Sequence, residues 1–213
     1  MQSYSTIVSF FQQGGVFMYP IMLIFAVGIA ISIERFVFLI KAKRNIAKAW
    51  VQLKPLLDAG SYQEAADIIL NTNSAISQVL SHGISRVQSA RALNEIETAV
   101  EQGLMEVVPR FEKRTHYLAT FANVATLLGL LGTIIGLIQA FTAVSHAEAA
   151  QKADLLSSSI SVAMNTTAFG LMAAIPLLLV YSFLQTRTSE MVDGLEAAGV
   201  NFISSASSYV NNG

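Results

Sequence analysis

Two long uncharged apolar segments, Leu118 to Ser145 and Leu155 to Thr186, limit what this chain can fold into more than any other feature. Each exceeds the roughly 20 residues that carry an α-helix across a hydrocarbon core. Both therefore read as transmembrane helices. Neither is uniformly apolar: the first carries Asn123, Thr126, Gly129, Gly132, Thr133 and Gly136, and the second Asn165, Thr166, Thr167, Gly170 and Pro176. Hydroxyls and glycines inside lipid-spanning helices need a physical reason.

Composition agrees with a membrane setting. Only 13% of residues are charged and 53% are hydrophobic, whereas soluble domains carry about 25% charged residues. The absence of cysteine excludes a disulfide framework, a thiolate metal site and a redox pair. No nucleophile constellation, phosphate loop or metal-ligand cluster is apparent, and His82, His116 and His146 are too scattered to suggest a metal site, so an enzyme is not expected and no cofactor is implied.

The charges that exist are segregated. Residues 1–33 hold none, while ten of the 13 Lys and Arg fall between Lys41 and Arg114. Val16 to Ile33 is a third apolar segment, continuing through Glu34-Arg35 and Phe36 to Ile40 into Lys41, Lys43, Arg44 and Lys48. Positive residues collect on the cytoplasmic side of membranes, which sets the N-terminus outside. Met1 to Gly15 lacks the basic region of a cleaved signal and is expected to remain as a lead-in, with Tyr4, Phe10 and Phe11 in the interface. Glu34 and Arg35 are expected to snorkel to the headgroups, and the basic residues to meet lipid rather than nucleic acid.

Residues 41 to about 115 are too charged for lipid. Ser61 and Glu64 have the spacing of a capping box before a helix burying Ala65, Ile68 and Ile69. Asn73 or Ser74 caps the next, whose Ile76, Val79, Leu80 and Ile84 recur at helical spacing. A helix from about Ala92 to Ser145 would be roughly 80 Å long, with Pro109 bending it. Ser157 to Ser159 offer caps for the last span, and the tail is amphipathic through Met191, Leu195, Val200 and Ile203. The expected fold is an all-α membrane protein of three transmembrane helices with long cytoplasmic helical extensions, N-terminus out and C-terminus in. The expected division is a lead-in at 1–15, membrane helices at 16–40, 118–145 and 160–185, a cytoplasmic helical region at 41–117, an external loop at 146–159 and a cytoplasmic tail at 186–213.

The polar positions line up. Thr126, Gly129, Thr133 and Gly136 share one helix face, as do Ala163, Thr167, Gly170 and Ala174, with Thr166 alongside. Small residues permit close helix packing, and Gly132-x-x-x-Gly136 has that spacing. The same stripes, with carbonyls released by Pro176, would also suit a hydrated path for a hard cation. Ion pathways in membranes usually rely on an intramembrane carboxylate or histidine, and the interiors of these three segments contain none. A titrating group would have to come from a partner.

Leu127 to Gly136 (LLGLLGTIIG) with Phe141, and Ile160 to Pro176 (ISVAMNTTAFGLMAAIP), resemble the paired motifs of the MotA/TolQ/ExbB family. The order and lengths of segments fit its ExbB and TolQ members over nearly the whole chain, whereas MotA-type stators have four membrane helices. The resemblance implies a multi-pass protein of the bacterial inner membrane. It also implies a homo-oligomer, a pentamer in ExbB-like proteins, around an ExbD-like single-span subunit carrying a transmembrane aspartate. Such a motor would move H+ or Na+ and act through a TonB-like protein on outer-membrane uptake, or through a TolA-like one. By motif alignment Thr133 and Thr167 take the places of the family's pore threonines, with Thr166 and Asn165 beside them. Gly129, Gly132, Gly136, Gly170 and Pro176 would pack around the partner, and Glu34 is a candidate for gating. Many ExbB and TolQ sequences place a glutamate where Val162 stands here, which leaves sodium open beside protons.

Overall fold

A computed structural model describes residues 15–87, 93–148 and 150–212, the side chains of 210–212 excepted. The expectations for residues 1–14 and for Ala92 lie outside the described residues. Among those described, the chain forms six α-helices: α1 (Met18–Asp58), α2 (Tyr62–Asn71), α3 (Ala75–Val87), α4 (Leu93–Glu112), α5 (Thr115–His146) and α6 (Lys152–Asn212). They divide into two compact units, the described residues of Met1–Ile33 with Arg114–Phe183 and those of Glu34–Lys113 with Leu184–Gly213.

The first unit is the apolar one. Three stretches, within Met18–Asp58, Leu93–His146 and Lys152–Tyr209, are long and apolar enough to cross a membrane, yet only 17%, 22% and 28% of their most apolar windows are buried inside the chain. Leu127, Ile134, Phe141 and Leu179 stand outward. A helix apolar on all sides is stable only when something other than water covers it. The chain is a membrane protein.

The second unit has an ordinary helical core. The spacing seen in the sequence holds in α3, where Ile76, Val79, Leu80 and Ile84 are all buried, and in α4 for Ile96, Val100 and Val107. Helices approach closely where a side chain is missing. A Cβ on Gly103 would lie 2.6 Å from the carbonyl oxygen of Val79 and 2.9 Å from its Cα, so α4 meets the backbone of α3 directly.

Of the local expectations, the Ser74 cap holds and several others need correction. Ser61 stands at the N-cap position of α2 but its side chain makes no capping bond, so the box is not formed. Ser74 is the capping residue of α3, its Oγ accepting the N–H of Ser77 at 3.2 Å. Ser157 to Ser159 lie inside α6, which starts at Lys152. In the tail Leu195 is buried, but Val200 is 66% exposed and Phe202 takes the core position.

The long helix does not run unbroken from Ala92 to Ser145, and Pro109 is not where it yields. α4 continues past Pro109 to Glu112, and the chain turns at Lys113-Arg114 with Arg114 in the left-handed region at φ 69°. A left-handed residue is a common way to end a helix. The last carbonyls of a helix lack intrahelical partners, and Arg35 supplies them. Its Nη2 donates to the carbonyl of Arg110 at 3.2 Å and to that of Phe111. Its guanidinium also sits 4.5 Å from the centroid of the Phe38 ring. Arg35 is 3% exposed and does not snorkel: a cation at a helix C-terminus satisfies both the orphan carbonyls and the helix dipole.

Two outcomes follow for the melting temperature of the purified protein in detergent. Arg35→Met leaves buried carbonyls unpaired and lowers stability by about 2–3 kcal/mol. Gly103→Ala forces backbone apart and costs about 1–3 kcal/mol, whereas Gly194→Ala, with no atom within 4 Å of the added carbon, raises stability by roughly 0.5–1 kcal/mol. Equal effects of the two glycine substitutions would remove the backbone contact from the account.

Candidate functional site

The two polar stripes of the apolar unit pack against each other. A Cβ on Gly170 would lie 2.7 Å from the Ala125 carbonyl oxygen and 3.1 Å from Gly129 Cα, and one on Gly136 would lie 2.8 Å from Ala163 Cβ. A Cβ on Gly129 would lie 3.2 Å from Thr167 Cα. At this crossing α5 and α6 touch backbone to backbone, which only residues without side chains allow.

Close approach brings hydroxyls together. Thr133 Oγ1 donates to the Gly129 carbonyl at 3.1 Å, one turn back in its own helix. Thr167 Oγ1 crosses between helices to the same carbonyl, at 2.8 Å. The two hydroxyls also hydrogen-bond to each other, and either can donate. Thr133, Thr167 and the Gly129 carbonyl are therefore one cluster of three oxygens, and both threonines keep part of their surface accessible.

The remaining predicted residues lie outside this cluster. Thr166 is 2% exposed. Its hydroxyl donates to the Val162 carbonyl at 3.0 Å, and its methyl group meets Gly132, so its surface is turned into the helix pair. Asn165 is half-buried on α6. Pro176 is exposed within the continuous α6, and Glu34 is exposed on α1. Thr126 donates to the Ala122 carbonyl at 3.0 Å. Val162 lies beside Gly15.

Sequence reasoning missed what α1 contributes to this unit. A Cβ on Gly28 would lie 2.7 Å from Leu177 Cδ2, making Gly28 a notch for the residue after Pro176, and Ser32 Oγ donates to the Gly28 carbonyl at 2.8 Å. The small-xxx-small spacing of Gly28 and Ser32 was the available signal. Among the described residues no group of three or more His, Asp or Glu could hold a metal ion.

The glycines can be ranked by what they face. Gly170→Ala meets backbone and pushes the helices apart, costing about 1–3 kcal/mol. Gly129→Ala meets looser contacts and costs less. Melting temperatures of the two variants in detergent check the order, and a larger loss for Gly129→Ala would reverse it.

Known proteins share this pattern. A family model described as the MotA/TolQ/ExbB proton channel family matches residues 71–197, more than half of the chain. Over 195 residues the chain is 28% identical to an ExbB homologue of biopolymer transport from Methanothermobacter thermautotrophicus, covering 91% of this chain and 68% of that one. Over 147 residues it is 29% identical to the biopolymer transport protein ExbB of Aquifex aeolicus, covering 68% and 91% respectively. It is also 35% identical over 105 residues to the Tol-Pal system protein TolQ of Haemophilus influenzae, covering 49% of this chain and 44% of that protein. The matched stretch takes in the glycine crossing and both threonines of the oxygen cluster, and the chain belongs to the MotA/TolQ/ExbB proton channel family.

Proposed function

We propose that this chain is the multi-pass subunit of an ExbB–ExbD-like motor in the bacterial inner membrane, which converts an ion-motive force into mechanical work for TonB-dependent outer-membrane transport. The observation that carries the reading is the oxygen cluster of Thr133, Thr167 and Gly129, held on two helices whose apolar stretches, Leu118 to Ser145 and Leu155 to Thr186, contain no carboxylate or histidine. Oxygens suit a proton-bearing group or a hard cation, but alcohols do not titrate near neutral pH. A carboxylate must then come from another chain, and an ExbD-like single-span subunit with a transmembrane aspartate supplies it. The largely outward apolar surfaces of the spans leave room for that partner, for lipid and for further copies of this chain, a pentamer in this reading. The basic residues of α1 and α4 set the N-terminus outside and the C-terminus in the cytoplasm.

The likeness to TolQ supports a second reading within the family, in which a TolA-like protein takes the place of TonB. Both readings differ from a passive scaffold, in which the threonines only pack helices. In a strain lacking the gene, the wild-type chain restores uptake of large iron complexes, while the Thr133→Val/Thr167→Val double variant leaves uptake at background although the complex assembles with its partner. Restoration of detergent resistance without any effect on iron uptake selects the TolA-like reading. Full rescue by the double variant would falsify both and favour the scaffold.

A further inference from the structure

The second unit carries two outward charged faces of opposite sign. α1 buries Leu39, Ala49, Leu53 and Leu57, and the face opposite them holds Lys41, Arg44, Lys48 and Val51 at i, i+3, i+7 and i+10. α4 buries Ile96, Val100, Val107 and Phe111, and its opposite face holds Glu97, Glu101 and Met105 at i, i+4 and i+8. All of these outward residues are exposed. Among the described residues, Lys41, Arg44, Lys48, Glu97 and Glu101 have no ion-pair partner within the chain.

The two faces cover the same height. The rings of Phe38 on α1 and Phe111 on α4 meet with centroids 5.7 Å apart, which gives both helices a common origin. Counted away from the apolar stretches at 1.5 Å per residue, Lys48 lies about 15 Å along α1 and Glu101 about 15 Å along α4. Lys54, exposed at the edge of the basic face, lies about 24 Å along, and Glu97 about 21 Å.

We propose that the basic face of α1 in one copy of this chain docks on the acidic face of α4 in the next copy, with Lys48 opposite Glu101. The inference rests on the homo-oligomer of the proposed motor and adds which faces form its seam. Within one chain each face turns away from its own core and the charges stay unpaired. Copies that span one membrane in the same direction hold each residue at a fixed height, so charges at equal height meet when copies stand side by side. A patch that fits a different patch makes a heterologous contact, the kind that builds rings. Val51 and Met105, each 74% exposed, give both charged faces the apolar centre that an interface buries inside a polar rim.

Anionic lipid headgroups compete for the same lysines. Lys48 and Lys54 lie about 10 and 20 Å beyond Lys41 along α1, and attraction to a charged membrane surface fades within a Debye length of about 8 Å. Headgroups would also leave the glutamates of α4 without a cation. A second copy satisfies both faces at once.

The chain contains no cysteine, so engineered thiols report this contact alone. Full-length Lys48→Cys and Glu101→Cys variants with different tags are expressed together in a strain lacking the gene, and the membranes are oxidised. A disulfide-linked dimer holding one chain of each tag is expected, with none from either variant alone and a ladder of larger species from a chain carrying both substitutions. In mild detergent, Lys48→Glu and Glu101→Lys each weaken assembly about two- to fivefold per contact, and the two reversals combined in one chain recover it. An oligomer seen by native mass spectrometry without the mixed disulfide overturns the proposal and leaves the motor reading standing; this is the result if the lysines meet only headgroups. Disulfides between two Lys48→Cys chains mark a symmetric contact and overturn it as well. So do charge reversals whose combination fails to recover assembly. A chain that forms no oligomer at all overturns both the proposal and the homo-oligomer on which it rests.

Discussion

Hydrocarbon offers no water to a hydroxyl or a carbonyl, so each must be satisfied within the protein. The apolar unit meets this demand in one repeated way. Ser32, Thr126, Thr133 and Thr166 all donate to the carbonyl four residues back, at 2.8 to 3.1 Å. Thr167 departs from the pattern by reaching across to Gly129 of the neighbouring helix. That departure depends on the crossing, since the bond forms only where Gly129 and Gly170 let two backbones meet. Packing and polar clustering, which the sequence presents as rival accounts of the same stripes, are cause and consequence: the glycines set the distance and the distance creates the oxygen cluster.

The polar unit answers the same demand at a helix end. Four carbonyls at the close of α4 have no partners inside the helix, and Arg35 covers two of them from α1. A buried guanidinium is tolerated there because carbonyl dipoles and the face of Phe38 surround it. The left-handed residue Arg114 follows directly, and a new helix, α5, starts at Thr115. A chain without that cap would face buried, unpaired carbonyls, which cost more than the bond itself yields.

How much of this could be read beforehand depended on the range of the interaction. The spans were legible because length and apolarity are properties of one segment. The core faces of α3 and α4 were legible because a helical repeat is local. Arg35 was not: at the end of an apolar segment it reads as a residue that snorkels to the headgroups, while its acceptors lie 75 and 76 residues away. The tail shows the limit of periodicity alone, since Val200 and Phe202 are both apolar and only the facing helices decide which is buried. Thr166 and Thr167 show it again. Adjacent in sequence and equally polar, they point one into the helix pair and the other at a foreign carbonyl, and one step of 100° along the helix makes the difference.

In the proposed reading the stripes leave the titrating group to another chain. Within the spans every hydroxyl just described is already bonded, and the cluster of three oxygens has no carboxylate or imidazole among its members. Such a surface can hold a proton or cation carried by something else but cannot take one up from water by titration. The outward flanks, with Ile134 and Ile138 each more than half exposed, are unfinished in the same sense. In the proposed motor, oxygens without a carrier and apolar flanks without cover belong to one half of an ion-conducting assembly, and contact with the other half would turn a packed helix crossing into a path.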